Sequence, residues 1–172
     1  GIVDDSGNPV PVGEVGNIAV RSPDPVMFLR YWDNPKATTE KFAGDWLLTG
    51  DTGSLDDQGY FRYIGRNDDV ITTSGYRVGP GEIEDCLMRH PAVALASAVG
   101  IPDPLRTEVV KAFIVLRSGY VQSDSLIEEI QAFVKTRLAA HEYPRHVAFV
   151  DSLPMTTTGK IMRRELRKQV RQ

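Results

Sequence analysis

The chain has 172 residues, a formal net charge of -3, 41% hydrophobic residues and 25% charged residues. These are ordinary values for a globular protein and exclude a global electrostatic drive toward nucleic acid or anionic membrane. Cys86 is the only cysteine, so no internal disulfide can form, and no apolar run approaches the ~18 residues a membrane span needs. A chain of this length makes one ordinary domain or two small ones.

The sequence opens with GIVDDSGNPVPVGEVG, a turn-rich segment that reads as a cut through a larger protein. Val15 to Arg21 then alternates apolar and polar residues like a half-buried strand. Asp33 or Asn34 is placed to cap a short helix through Phe42, with Pro35 in its first turn. Trp46 to Thr49 reads as a buried strand. Leu55 to Asp57, a turn at Gln58-Gly59, and Tyr60 to Ile64 read as a hairpin. Short strands spaced by turns predict a small barrel or sheet.

The run Arg66-Asn67-Asp68-Asp69 can supply no core and reads as a linker or hinge. Val70 to Val78 reads as a second hairpin around Ser74-Gly75. Pro80 begins a helix with Glu82 and Glu84 in its first turns, favourable to the helix dipole. Its predicted inner face holds Ile83, Leu87 and Met88, and it ends before Pro91. Two apolar strands come next, Val93 to Ile101 and Val109 to Leu116. Ser123 or Asp124 caps a long amphipathic helix with Leu126, Ile127, Ile130, Phe133, Val134 and Leu138 inward. Pro144 to Val150 is another strand, and Arg163 to Val170 a basic helix. The pattern predicts an α+β chain: a small β-rich unit, then an α/β unit with a short central sheet flanked by helices. His90, His141 and His146 are too scattered for a metal site and read as surface or strand residues.

Three constellations carry chemistry. Thr49-Gly50-Asp51 ends an apolar strand, and a carboxylate there can accept hydrogen bonds from vicinal hydroxyls, as acidic residues do with ribose; a solvated turn aspartate is the plainer reading. Gly65-Arg66 and Gly75-Tyr76-Arg77 offer arginines suited to bidentate phosphate or hydroxyl recognition and a glycine that lets a ligand approach the backbone. A surface arginine and a hairpin glycine fit equally well. Thr156-Thr157-Thr158-Gly159-Lys160 resembles a phosphate-binding loop, against a solvated loop lysine. A Walker A loop needs a glycine near Pro154 and a Ser or Thr at Ile161, so a P-loop NTPase is not indicated.

Taken in order, WLLTGD, DQGYFRYIGR, GRNDDVITTSGYRVGPGEIE and LPMTTTGKIMRREL resemble the adenylate-forming superfamily of acyl-CoA synthetases, luciferases and peptide-synthetase adenylation domains. The resemblance covers essentially the whole chain. GYRVGPGEIE, HPAVALASAVGIPDPLRTEVVKAF and HEYPR look most like medium-chain and aryl acyl-CoA synthetases. It implies that residues 1–67 end a large N-terminal domain and that 68–172 form the mobile C-terminal domain, turning about Asp68. Asp51 and Arg66 would bind the ribose of ATP and Arg77 its phosphate. Gly75 and Tyr76 would line the CoA pantetheine tunnel, and Lys135 would meet a CoA phosphate. Lys160 would bridge the acyl carboxylate and the α-phosphate. Many relatives carry a lysine shortly after the hinge; here Thr72 and Thr73 stand there.

The implied reaction joins a small-molecule carboxylic acid to CoA at the expense of ATP, through an acyl-adenylate. Mg²⁺ would accompany ATP on ligands outside this chain. The implied partners are the N-terminal domain of the same protein and a lysine acetyltransferase acting on Lys160. The implied compartment is the cytoplasm, or the mitochondrial matrix in a eukaryote. A peptide-synthetase adenylation fragment, a luciferase-like oxygenase and a free-standing, non-catalytic binding module remain as other readings. The basic end (Lys160, Arg163, Arg164, Arg167, Lys168 and Arg171) lacks the aromatic platform expected of a nucleic-acid binder.

Overall fold

Turn residues cut the start of the chain into short strands, and a change of pattern near residue 68 separates them from the longer elements beyond it. In the computed structural model, which describes residues 1–170, the chain divides into two units, Gly1–Asp68 and a second from Asp69 onward. Arg171 lies outside the described residues.

The first unit is an antiparallel sheet of β1 (Ile2–Val3), β2 (Val15–Arg21), β3 (Phe42–Ala43), β4 (Trp46–Leu55) and β5 (Phe61–Arg66). The order is β1-β2-β4-β3, with β5 also pairing with β4. β3 pairs with the start of β4 and β5 with its second half. β4 is therefore one ten-residue strand, where the sequence predicts a strand ending at Thr49 and another beginning at Leu55. Gly50 and Gly53 read as punctuation but lie inside the strand. Gly50 takes a φ of +87°, open to glycine without strain. At Gly53 a Cβ would sit 2.6 Å from the Arg62 carbonyl oxygen, next to a register shift between Thr52 and Gly53.

The short helix α1 (Pro35–Thr39) is capped by Asn34, whose side chain accepts from the Ala37 N–H at 3.0 Å. It stops at Thr39 because Phe42 and Ala43 pair with Leu47 and Trp46 instead. Asp56 closes the β4–β5 turn by accepting from the backbone N–H of Gln58 and Tyr60.

In the second unit, β6 (Ile71–Thr73), β7 (Tyr76–Val78), β8 (Val93–Asp103), β9 (Thr107–Leu116) and β10 (His146–Phe149) form one sheet. The order is β10-β9-β6-β7, with β8 paired along β9. Only β10 with β9 is parallel. Alternation along β9 gives the sheet two apolar faces. Val110, Ala112 and Ile114 join the main core with α2 (Pro80–Met88) and α3 (Asp124–Lys135). Phe113 joins Val99, Leu153 and Leu166 in a second cluster beneath α4 (Arg163–Val170). On α3, Leu126, Ile130 and Val134 are buried at helical spacing, and Ser123 caps the helix by accepting from the Leu126 N–H.

Two expectations fail in this unit. Met88 is exposed, and the buried face of α2 is completed by Cys86 beside Ile83 and Leu87. Burial also pushes the Cys86 thiol above its ordinary pKa. Glu84, in the first turns of the same helix as expected, is buried and held by Arg163. His90 is not at the surface. It is buried, its Nδ1 accepts from the Ala92 N–H at 3.2 Å, and its Nε2 lies 3.2 Å from a Glu129 oxygen. Among the described residues no group of His, Cys, Asp or Glu is placed to hold a metal, and no helix is long and apolar enough to cross a membrane.

Candidate functional site

The candidate residues gather into three places. The first lies on the β4–β5 pair. Register sets Asp51 opposite Arg66, so a strand pairing rather than a loop brings them together. Arg66 Nε stands 3.7 Å from an Asp51 oxygen and 3.6 Å from an Asp68 oxygen. Both approaches exceed hydrogen-bond length, so they are loose ion pairs between half-exposed groups. The local backbone is firmer. Thr49 donates its hydroxyl to the Ile18 carbonyl at 2.7 Å and accepts from the Asp51 N–H at 3.1 Å, while the Asn67 N–H reaches the Gly50 carbonyl at 2.9 Å. A fixed backbone thus presents a carboxylate and a guanidinium that hold each other weakly.

The second place surrounds the β6–β7 hairpin. Ser74 and Gly75 both take positive φ, 51° and 84°, as a two-residue hairpin loop demands. Nothing lies within 4 Å of where a Gly75 Cβ would stand, so the glycine answers to backbone conformation rather than to packing within this chain. Tyr76 stacks on His141 with ring centroids 4.0 Å apart and planes 5° from parallel. A groove of about 290 Å³ opens beside them, lined by Thr73, Ser74, Tyr76, Arg106, Tyr143 and Arg145 among others. Lys135, at the end of α3, holds its Nζ 5.6 Å from the Tyr143 ring centroid, and the Arg145 guanidinium carbon lies 5.1 Å from the same ring. Tyr76 therefore lines the groove itself, Gly75 adjoins it in the hairpin, and Lys135 approaches it through the ring of Tyr143, which is part of its wall. Arg77 lies on the same hairpin, exposed and opposite Thr72.

Sequence reasoning missed Arg106, His141, Tyr143 and Arg145. Tyr143 and Arg145 fall within HEYPR, but no spacing rule ties that segment to a hairpin some seventy residues earlier.

The third place is the loop before α4. Thr156 organises it: its N–H donates to the Lys160 carbonyl at 2.8 Å, its carbonyl accepts from the Gly159 N–H at 3.0 Å, and its hydroxyl accepts from the Lys160 N–H at 3.1 Å. Met155 and Ile161 form a bridge below, and the Met162 N–H donates to the Pro154 carbonyl. Gly159 supplies the positive φ of 81° that turns the chain. The result is a small closed loop with the Lys160 side chain exposed at its end.

Residues 82–160 match the AMP-binding enzyme C-terminal domain. The likeness to known proteins extends beyond these residues, over 96–98% of the chain. It is 50% identical to acetyl-coenzyme A synthetase of Bacillus subtilis over 167 residues, covering 96% of this chain and 29% of that protein. It is 51% identical to the human mitochondrial acyl-coenzyme A synthetase ACSM5 over 173 residues, covering 98% of this chain and 30% of that one. Among solved structures it is similar to the anthranilate CoA ligase AuaEII in complex with anthranoyl-AMP, with TM-score 0.84 and 41% identity over 98% of this chain and 32% of that chain. The chain thus spans about 30% of the length of the relatives it matches.

Proposed function

We propose that the chain is the C-terminal portion of an AMP-forming acyl-CoA synthetase, which converts a carboxylic acid and ATP to an acyl-adenylate and pyrophosphate and then transfers the acyl group to CoA, releasing AMP. The observation that carries this reading is Lys160, exposed at the end of a loop closed by its own hydrogen bonds. In adenylation a carboxylate attacks a phosphorus already surrounded by anionic oxygens. An ammonium ~4 Å from an oxyanion contributes about 4 kcal/mol at an effective dielectric of 20, before desolvation is counted. Loss of one such stabiliser typically costs about 10²–10³ in rate.

The other assignments rest on chemistry. Asp51 accepts from the vicinal hydroxyls of the ATP ribose, and Arg66, weakly held by two carboxylates, adds donors. Arg77 meets phosphate. The hairpin at Gly75 and Tyr76 lines the pantetheine path, and Lys135, beside Tyr143 in the groove's wall, meets a CoA phosphate. Asp68 is the hinge that exchanges Lys160 for Gly75 between the two half-reactions. Mg²⁺ arrives with ATP on ligands outside this chain. The acyl pocket belongs to an N-terminal domain of the same protein. Acetylation of Lys160 by a lysine acetyltransferase removes its charge and silences adenylation. The working compartment is the cytoplasm or, in a eukaryote, the mitochondrial matrix.

The test is Lys160→Ala in the full-length protein, with acetate, hexanoate and benzoate as probe acids. Carboxylate-dependent ATP–pyrophosphate exchange should fall by about 10²–10³, while thioester formation from supplied acyl-adenylate is spared. Equal loss of both half-reactions sinks the role given to Lys160.

A further inference from the structure

Arg163 opens α4 three residues after Lys160, and its guanidinium is used on every side. Nε and Nη2 donate to the two Glu84 oxygens at 3.0 and 2.6 Å, and Nη1 donates to Asp69 at 3.1 Å. One turn later, Arg167 Nη1 donates to the other Asp69 oxygen at 2.9 Å. Glu84 Oε1 also accepts from the Ser97 hydroxyl at 3.1 Å and the Ala98 N–H at 2.9 Å. The four side chains are 10–24% exposed. Two carboxylates balance two guanidiniums. Burial alone would lower the Arg163 pKa, but hydrogen bonds and charge from Glu84 and Asp69 outweigh it and raise it.

Such a cluster is a poor device for stability alone, since apolar residues of similar volume often serve as well or better. What it provides is direction: a planar fork accepts two carboxylates in one orientation only. It joins four separate pieces of chain: Asp69 at the start of the second unit, Glu84 on α2, the backbone of β8, and the first turns of α4. The Lys160 loop ends where α4 begins. At its other end Leu153 is buried in the cluster that also holds Leu166 of α4.

We propose that the Asp69–Glu84–Arg163–Arg167 cluster is the positioning device for Lys160. It fixes the axis of α4 against α2 and β8, and so fixes where the loop aims the ammonium. This rests on the assignment of Lys160 to adenylation. None of the four residues touches the reacting atoms; each acts through Lys160.

The experiment uses the full-length protein with the same three probe acids. Arg163→Lys keeps the charge and loses the fork; Glu84→Gln keeps the shape and loses the charge. In both, ATP–pyrophosphate exchange should fall by up to about 10²-fold, the cost of misplacing a catalytic group by about 1 Å. The loss should appear in kcat, with KM for ATP and thioester formation from supplied acyl-adenylate unchanged. Trypsin should cut after Lys160 faster than in the parent, at a temperature well below the melting transition of either protein, because the loop has lost one anchor. Parallel loss of both half-reactions, or normal exchange with unchanged trypsin cleavage, overturns the proposal. Should both variants fail to fold, Arg167→Gln removes only one arm onto Asp69 and is read by the same criteria, with a smaller loss confined to adenylation. Lys160→Ala separates the two ideas. Normal exchange in that variant removes the catalytic assignment, and the trypsin result then judges whether the cluster orients the loop.

Discussion

The two units solve the problem of burial differently. The second packs apolar side chains on both faces of its sheet, with Ile71, Ile83, Leu87, Ile114, Ile130 and Val134 among the fully buried. The first buries Ile2, Val3 and Ala19, keeps Asn17 and Thr52 inside, and leaves Val26, Leu29 and Trp32 about 90% exposed. The Thr52 hydroxyl is buried without a hydrogen-bond partner among the described residues. One unit carries a core of its own, whereas the other is a sheet with a thin one. Each candidate site inherits this contrast. Asp51 and Arg66 are set by strand register, while Lys160 is set by a small loop that the second core holds at both ends.

Three substitutions sharpen or break the comparison. Leu87→Ala, in the heart of the second unit, should cost about 2–5 kcal/mol, read by urea unfolding; a loss under about 1 kcal/mol would mean that this core is not what holds the unit together. Ser123→Ala removes the cap of α3 and should cost about 1 kcal/mol, seen as a small fall in the denaturation midpoint. Trp32→Ser, in the first unit, should change stability by less than about 0.5 kcal/mol. A large loss there would show that its exposed residues already pack on something.

Much of the fold is legible in the sequence. β2, α2, β8, β9, α3 and α4 lie close to where periodicity and capping residues put them, because a two-residue or 3.6-residue apolar repeat is a local signal. β4 reads as two strands because Gly50 and Gly53 resemble turn residues, and only pairing with β5 shows why glycine is needed inside the strand. His90 reads as a surface or strand residue because burial of a polar side chain depends on its partner, and Glu129 lies far along the chain. At the candidate site, Asp51, Arg66 and Lys160 stand out through their motifs. Tyr143 and Arg145 do not, since an aromatic and a base in a loop acquire meaning only once α3 and the β6–β7 hairpin close around them.

The local closure of the Lys160 loop has a kinetic consequence. Its hydrogen bonds join residues 154–162 to one another, and loops of about ten residues close in tens of nanoseconds. The anchors of α4 reach back to Glu84 and Asp69, and β10 pairs in parallel with β9 across the whole of α3. Such distant pairings form slowly. The lysine is therefore displayed by contacts local in sequence and aimed by contacts distant in it.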